Sequence, residues 1–292
     1  MNGNTLRALT RQARPKQWIK NVLVFAAPGA AGVLDNGSFL LRTLGVFGAF
    51  CLVSSGTYFW NDIHDVVADR QHPTKQSRPI ASGAIGMGIA RAVGTALMAA
   101  GIALAFALGW RVGLVVLGYV MLTTVYSVAL KHVAVVDLVA VAGGFVLRAV
   151  AGAVVTGVAM STWFVLCTSF GSLFIVTGKR FAELRELGDS AGTRASLDAY
   201  SLQFLQTVLS VSVGATLVTY CIWAFEVREV SGSSWPFYEL SIVPMLTALL
   251  RYTLVLEQGH GAAPEEVFTA DRWLQAMGLL WVIVFGLGVY VG

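Results

Sequence analysis

The sequence predicts an all-α integral membrane protein with nine transmembrane helices. Composition is the first reason: 56% of the 292 residues are hydrophobic and 12% are charged, about half the charged share of a soluble domain. The second is length. Apolar runs near the roughly 20 residues that a spanning helix requires fill most of the chain and leave no room for a soluble domain, so residues 1–292 read as one membrane-embedded domain. The third is the placement of basic residues, which collect on one side of the spans.

In order, the expected spans are 20–34, 39–60, 84–108, 112–130, 134–157, 162–180, 205–225, 236–256 and 272–291. An odd count puts the termini on opposite sides. With the N-terminus in the cytoplasm, Arg7, Arg11, Arg14, Lys16, Lys20, Arg70, Lys75, Arg78, Lys131, Lys179, Arg180, Arg185 and Arg194 are all cytoplasmic, and Arg251 and Arg272 flank the last cytoplasmic loop. Only Arg42, Arg111 and Arg228 fall outside, which is the positive-inside pattern of a multi-pass cell-membrane protein. Met1 to Gln17 is polar and basic and lacks the short apolar core of a cleaved signal. Cys51, Cys167 and Cys221 each sit in an apolar run and read as packing residues. The formal charge of +4 is modest, and no nucleic-acid partner is expected.

Two cytoplasmic connections, 61–83 and 181–204, are long and charged, as functional loops are. They follow spans of similar design, which suggests an internal repeat of spans 1–4 in spans 5–8. Segments 227–235 and 257–270 read as a turn and a surface loop. Gly143, Gly144, Ala149, Gly152 and Gly157 allow close helix approach in the fifth span, suited equally to internal packing or to a homo-oligomer contact.

The chemistry begins at Asn61-Asp62-x-x-Asp65-x-x-x-Asp69. Helical spacing puts Tyr58, Asn61 or Asp62, Asp65 and Asp69 on one face. Such a face of hard oxygen ligands repels itself unless a cation joins it, and Mg²⁺ combines one or two carboxylates with water and phosphate oxygens. Lys75 and Arg78 follow closely and can neutralise the remaining phosphate charge. Asn61, Asp62, Asp65 and Asp69 are therefore the candidate metal ligands, with the three aspartates as the catalytic set.

Lys20 stands where the first apolar run begins and is a candidate phosphate contact; the basic residues before it suffice as an interfacial anchor. Lys131 is either an end charge or a phosphate contact, and His132 is given no role. Arg148 lies well inside the fifth span, where a charge costs about 2.5–3.5 kcal/mol on insertion scales; an anion contact in a polar cavity is favoured over an ion pair with Asp137. The sixth span ends Lys179-Arg180-Phe181-Ala182-Glu183. Lys179 and Glu183 are one turn apart and can pair, or this basic motif binds phosphate directly and supplies at most one metal ligand, Glu183.

Together these motifs resemble the UbiA superfamily of intramembrane prenyltransferases over nearly the whole chain. The resemblance implies a helical bundle around a central polar cavity with cytoplasmic caps, and Mg²⁺-diphosphate on the aspartate motif. One departure is informative: Lys179-Arg180-x-x-Glu183 stands where most members carry a second aspartate-rich motif. Four segments look like the branch that makes decaprenylphosphoryl phosphoribose in actinobacterial cell-wall synthesis. These are Arg14-Pro-x-Gln-Trp-x-Lys20-Asn21, Asp69-Arg-x-His-Pro-Thr-Lys75-x-x-Arg78-Pro-Ile-Ala, Leu130-Lys-His-x-Ala-Val-Val-Asp137 and Gly171-Ser-Leu-Phe-x-Val-x-Gly-Lys-Arg180-x-Ala-Glu183. That likeness implies 5-phosphoribosyl 1-diphosphate as donor, a polyprenyl phosphate as acceptor, and a precursor of cell-wall arabinan as product. A prenyltransferase acting on an aromatic acceptor is the alternative, and an anion transporter a more distant one.

Overall fold

A computed structural model describes residues 3–187, 199–259 and 264–291. Every regular element among them is helical. The helices are α1 (Gly3–Ala13), α2 (Ala26–Ala30), α3 (Gly37–His64), α4 (Val66–Gln71), α5 (Met87–Leu108), α6 (Trp110–Val128) and α7 (Val136–Thr156). They continue with α8 (Thr162–Leu187), α9 (Leu202–Ser231), α10 (Phe237–Leu240), α11 (Ile242–Glu257), α12 (Pro264–Ala270) and α13 (Arg272–Tyr290). Eight segments among the described residues are long and apolar enough to cross a membrane, and they correspond to the second through ninth expected spans. The protein is a multi-pass membrane protein.

The first expected span, 20–34, is not a long α-helix. Pro15–Phe25 winds as a 3-10 helix and is followed by the five residues of α2. At about 2.0 Å rise per residue the 3-10 stretch reaches about 22 Å, and α2 adds about 8 Å. Neither piece is among the eight membrane-crossing helices. The expected turn at 227–235 is also shorter, because α9 runs on to Ser231 and closes on Gly232 with φ 69, the left-handed cap that glycine adopts freely. Within the expected surface loop at 257–270, Pro264 opens α12, as proline does at a first helical position. Of the expected 181–204 connection, positions 188–198, including Arg194, lie outside the described residues.

The chain forms two compact units. One comprises Met1–Gly29, Val33–Lys131 and Leu147–Val158; the other comprises Ala30–Gly32, His132–Val146 and Ala159–Gly292. In the first, α3 packs along α5. Gly56 and Gly94 let those backbones touch: a Cβ on Gly56 would meet the Gly94 carbonyl oxygen at 2.7 Å. Val46, Ala49, Phe50 and Val53 of α3 form a fully buried core with Val116 of α6 and Ala151 of α7. A second cluster closes the end that carries the polar motif. There Phe59, Ile63, Ile80 and Ile85 take up Ala8, Leu9 and Ala13 of α1, so the basic N-terminal stretch is an amphipathic helix docked on the motif.

In the second unit α8 packs along α9, around Phe174, Leu205, Tyr252 and Leu256. Asp271 caps α13 by accepting the Leu274 N–H at 2.9 Å and holds Arg251 at 2.7 Å. The Arg251 hydrogen bond keeps the Asp271 carboxyl below its usual range. A depressed carboxylate contributes stability that is present above its unfolded value, about 3.9, and is lost as pH falls through the folded value. Thermal unfolding of the detergent-solubilised protein between pH 6 and pH 3 is therefore expected to show a falling midpoint, with a shallower fall in Asp271→Asn.

Candidate active site

The acidic motif occupies the end of α3 and the start of α4. Asp65 sits at the junction with φ −90 and ψ 6, off regular helix. The ladder continues through it nonetheless: the Asp65 N–H donates to the Asn61 carbonyl at 2.9 Å, and the Asp69 N–H donates to the Asp65 carbonyl at 2.8 Å. The expected face therefore survives a slight bend.

Each of its three carboxylates meets a cation, and Asp62 and Asp69 share one, Arg78. Asp62 is 1% exposed and turns into the protein. One Arg14 nitrogen donates to both of its oxygens at 2.7 Å, Gln12 Nε2 donates at 2.8 Å, and Arg78 Nη1 at 3.2 Å. The same Arg78 nitrogen donates to Asp69 Oδ2 at 2.7 Å. Asp65, more open, receives the Lys131 ammonium at 2.6 Å and Asn61 Nδ2 at 3.3 Å. Asn61, Asp62, Asp65, Asp69, Arg78 and Lys131 thus form one network in which each carboxylate meets a cation. Tyr58 lies under Arg14, whose guanidinium carbon stands 4.8 Å from the ring centre.

Gln12 and Arg14 were absent from the expected site set. Arg14 reads in sequence as one of several interfacial anchors; its left-handed backbone, φ 53 just before Pro15, is what turns the side chain onto Asp62. A non-glycine residue in that region is uncommon, and here it accompanies one Arg14 nitrogen reaching both Asp62 oxygens. Lys75 heads a 3-10 turn, Lys75–Ser77. Nearby, burial and the Lys75 charge hold the His72 imidazole below its usual range. His72 is therefore neutral near pH 7, with Nδ1 accepting the Thr74 N–H at 3.3 Å. Arg70 ties α4 to the returning chain through the Ala81 carbonyl at 3.1 Å.

Lys20 lies on the 3-10 stretch and donates to Gln17. Arg148 is 5% exposed. Its Nε donates to Asn21 Oδ1 at 2.7 Å and its Nη2 to the Tyr119 hydroxyl at 3.0 Å, with the guanidinium stacked 4.6 Å from the Tyr119 ring centre. The considered partner Asp137 is taken up elsewhere, in the second unit, by Arg180 and Tyr200. There Arg180 also donates to Glu183 at 2.7 Å, and Lys179 stands 3.7 Å from the same carboxylate. The helical pairing of Lys179 with Glu183 is present, and Arg180 is the closer partner.

A profile of the UbiA prenyltransferase family matches residues 22–287. The chain belongs to that family. It is 40% identical to decaprenyl-phosphate phosphoribosyltransferase of Corynebacterium glutamicum over 99% of this chain and 88% of the relative. It is 39% identical to the enzyme of the same name from Mycobacterium tuberculosis, over 99% of this chain and 96% of that one. Among solved structures, a UbiA homolog from Archaeoglobus fulgidus bound to DMAPP and Mg²⁺ superimposes with a TM-score of 0.76 at 18% identity, covering 97% of this chain and 99% of that one. At that identity the likeness speaks for the fold.

For a UbiA chain the donor set at 61–69 suits Mg²⁺. Asp62 Oδ1 and Asp69 Oδ2 share one cationic nitrogen, and Asp65 already takes an ammonium, so these oxygens stand where positive charge is accepted. Among the described residues no three acidic, histidine or cysteine side chains surround a common metal position. Mg²⁺ takes one or two carboxylates and completes its shell with phosphate and water. Asp62, sealed by Arg14, Gln12 and Arg78, is placed to hold those groups more than to meet an ion.

Proposed function

We propose that this chain transfers 5-phosphoribose from 5-phosphoribosyl 1-diphosphate to a polyprenyl phosphate, releasing diphosphate. The observation that carries the reading is the identity of about 40% with decaprenyl-phosphate phosphoribosyltransferases along almost the entire length. The residues agree with it. The first unit gathers Arg14, Arg78 and Lys131 onto the acidic helix end. The second carries a further basic motif at Lys179 and Arg180, suited to a reaction in which donor and acceptor are both phosphates.

Asp65 and Asp69, with Asn61, would hold Mg²⁺, which when bound neutralises the leaving diphosphate. Lys20, Lys75 and Arg78 neutralise donor phosphates, and Tyr58 orients the donor. Lys131 and Arg148 of the first unit, and Lys179, Arg180 and Glu183 of the second, are each assigned to substrate binding, as candidates for the acceptor phosphate or the 5-phosphate. The ribosyl C1–O bond to diphosphate breaks with its electron pair leaving on diphosphate, and an acceptor phosphate oxygen bonds to C1 of an oxocarbenium-like centre. The acceptor is already anionic near pH 7, so no general base is required. The active site faces the cytoplasm of the cell membrane, the side on which these basic residues cluster.

Purified protein in lipid, given labelled 5-phosphoribosyl 1-diphosphate and decaprenyl phosphate, is expected to place label in lipid with inversion at the anomeric carbon, and to lose that activity in chelator. Retention would overturn direct attack. Transfer confined to prenyl diphosphate and an aromatic acid would overturn the substrate assignment.

A further inference from the structure

Tyr200 and Asp137 carry no role in the function proposed above, yet they form a buried polar contact in the second unit, at 7% and 0% exposure. Asp137 opens α7 and is fully buried; Arg180 of α8 is 4% exposed. The two Asp137 oxygens are divided: Oδ1 accepts the Tyr200 hydroxyl at 2.5 Å and Oδ2 accepts Arg180 Nε at 3.3 Å. Tyr200 has a second hold on the same helix start, because its oxygen accepts the Val135 N–H at 2.5 Å. Val135 has φ 68, a left-handed backbone that a β-branched residue adopts only where its surroundings enforce it. Phe204 stacks on the Tyr200 ring at 5.7 Å, fixing the plane of the phenol.

We propose that Tyr200 and Asp137 are positioning residues for Arg180. The phenol fixes Asp137, Asp137 fixes the guanidinium, and the chain sets the direction in which Arg180 meets a substrate phosphate. Burial keeps the Tyr200 hydroxyl protonated well above neutrality, so it remains a donor to Asp137. A guanidinium binds phosphate through a planar fork, and a fork gives affinity only when its plane is set. Glu183 grips Arg180 at 2.7 Å; Asp137 supplies a further hold that limits rotation about the side-chain axis. The inference rests on the phosphate-binding role given to Arg180 above.

The test is a double-mutant cycle on the full-length protein in lipid nanodiscs. It reads calorimetric Kd for 5-phosphoribosyl 1-diphosphate and for decaprenyl phosphate, with turnover measured in parallel. Arg180→Gln is expected to weaken one of the two ligands at least 10-fold. Tyr200→Phe should weaken the same ligand 3- to 10-fold, leave the other within 2-fold, and add nothing in the Arg180→Gln background, as groups acting through one another behave. Asp137→Asn should mimic Tyr200→Phe. An effect of Tyr200→Phe on the thermal midpoint alone, with both Kd values unchanged, overturns the proposal and assigns the phenol to structure. Additive losses in the double mutant also overturn it. If wild-type protein binds both ligands but transfers nothing between them, the reaction assignment fails while the cycle still decides the positioning role. If Arg180→Gln changes neither Kd, the positioning proposal falls and the reaction assignment stands on turnover.

Discussion

Asp65→Ala is expected to lower turnover by about 1000-fold, the scale on which removal of one preorganised electrostatic group acts, while the protein stays folded. Asp65 and its partner Lys131 are part-exposed, at 26% and 13% of their side chains, and such pairs add less than about 1 kcal/mol to stability. Asp62→Ala should behave in the opposite sense. Asp62 is sealed under Gln12, Arg14 and Arg78, and removing one member of a buried ion pair costs about 3–5 kcal/mol. Its thermal midpoint should fall steeply, with α1 released from the motif to proteolysis. Activity and thermal denaturation measured on both variants separate the two roles. A folded Asp65→Ala enzyme with wild-type turnover would remove the metal assignment. An Asp62→Ala protein as stable as wild type would remove the structural one.

Gly152→Ala is expected to be the most damaging single methyl in the first unit. A Cβ there would lie 1.8 Å from the Val24 carbonyl oxygen and 2.8 Å from its carbon. The obstacle is backbone, so no rotamer change relieves it. Overpacking costs about 1–3 kcal/mol where side chains can yield and more where they cannot. One turn earlier on α7, Arg148 holds Asn21, so displacing the 3-10 stretch also strips a buried guanidinium of an acceptor. Yield of folded protein and its thermal midpoint should both drop. Gly118→Ala, with nothing within 4 Å of the added carbon, should be tolerated. Equal behaviour of the two variants would show that the close approach is not needed.

The part of the fold legible in the sequence is the part set by composition and length. Eight apolar runs became eight long helices, because a spanning helix must satisfy its own backbone and be apolar throughout. The stretch at 20–34 looked like another. In its 3-10 winding Asn21 is held by Arg148 and Val24 lies against Gly152, contacts more than a hundred residues away that no local pattern encodes. The acidic face was legible because helical spacing fixes which side chains align. Which cation answers each carboxylate was not. Arg14 was hidden among anchor charges because its role depends on one left-handed dihedral. Tyr200 and Asp137 meet across 63 residues of chain, a pairing that local spacing does not encode.

The 3-10 stretch has one more consequence. With three residues per turn, its side chains line up in rows of every third position. Trp18, Asn21 and Val24 make one such row: Trp18 donates to Ser55 at 3.1 Å, Asn21 meets Arg148 and Cys51, and Val24 lies against Gly152. Gln17 and Lys20 share the next row and bond to each other. The stretch is in effect a three-sided prism with one face keyed to the protein. Inserting or deleting a single residue turns everything beyond it by about 120°, a whole face. Its length is therefore fixed in steps of three, and one added residue before Trp18 should turn Asn21 and Val24 off the face that meets Arg148 and Gly152.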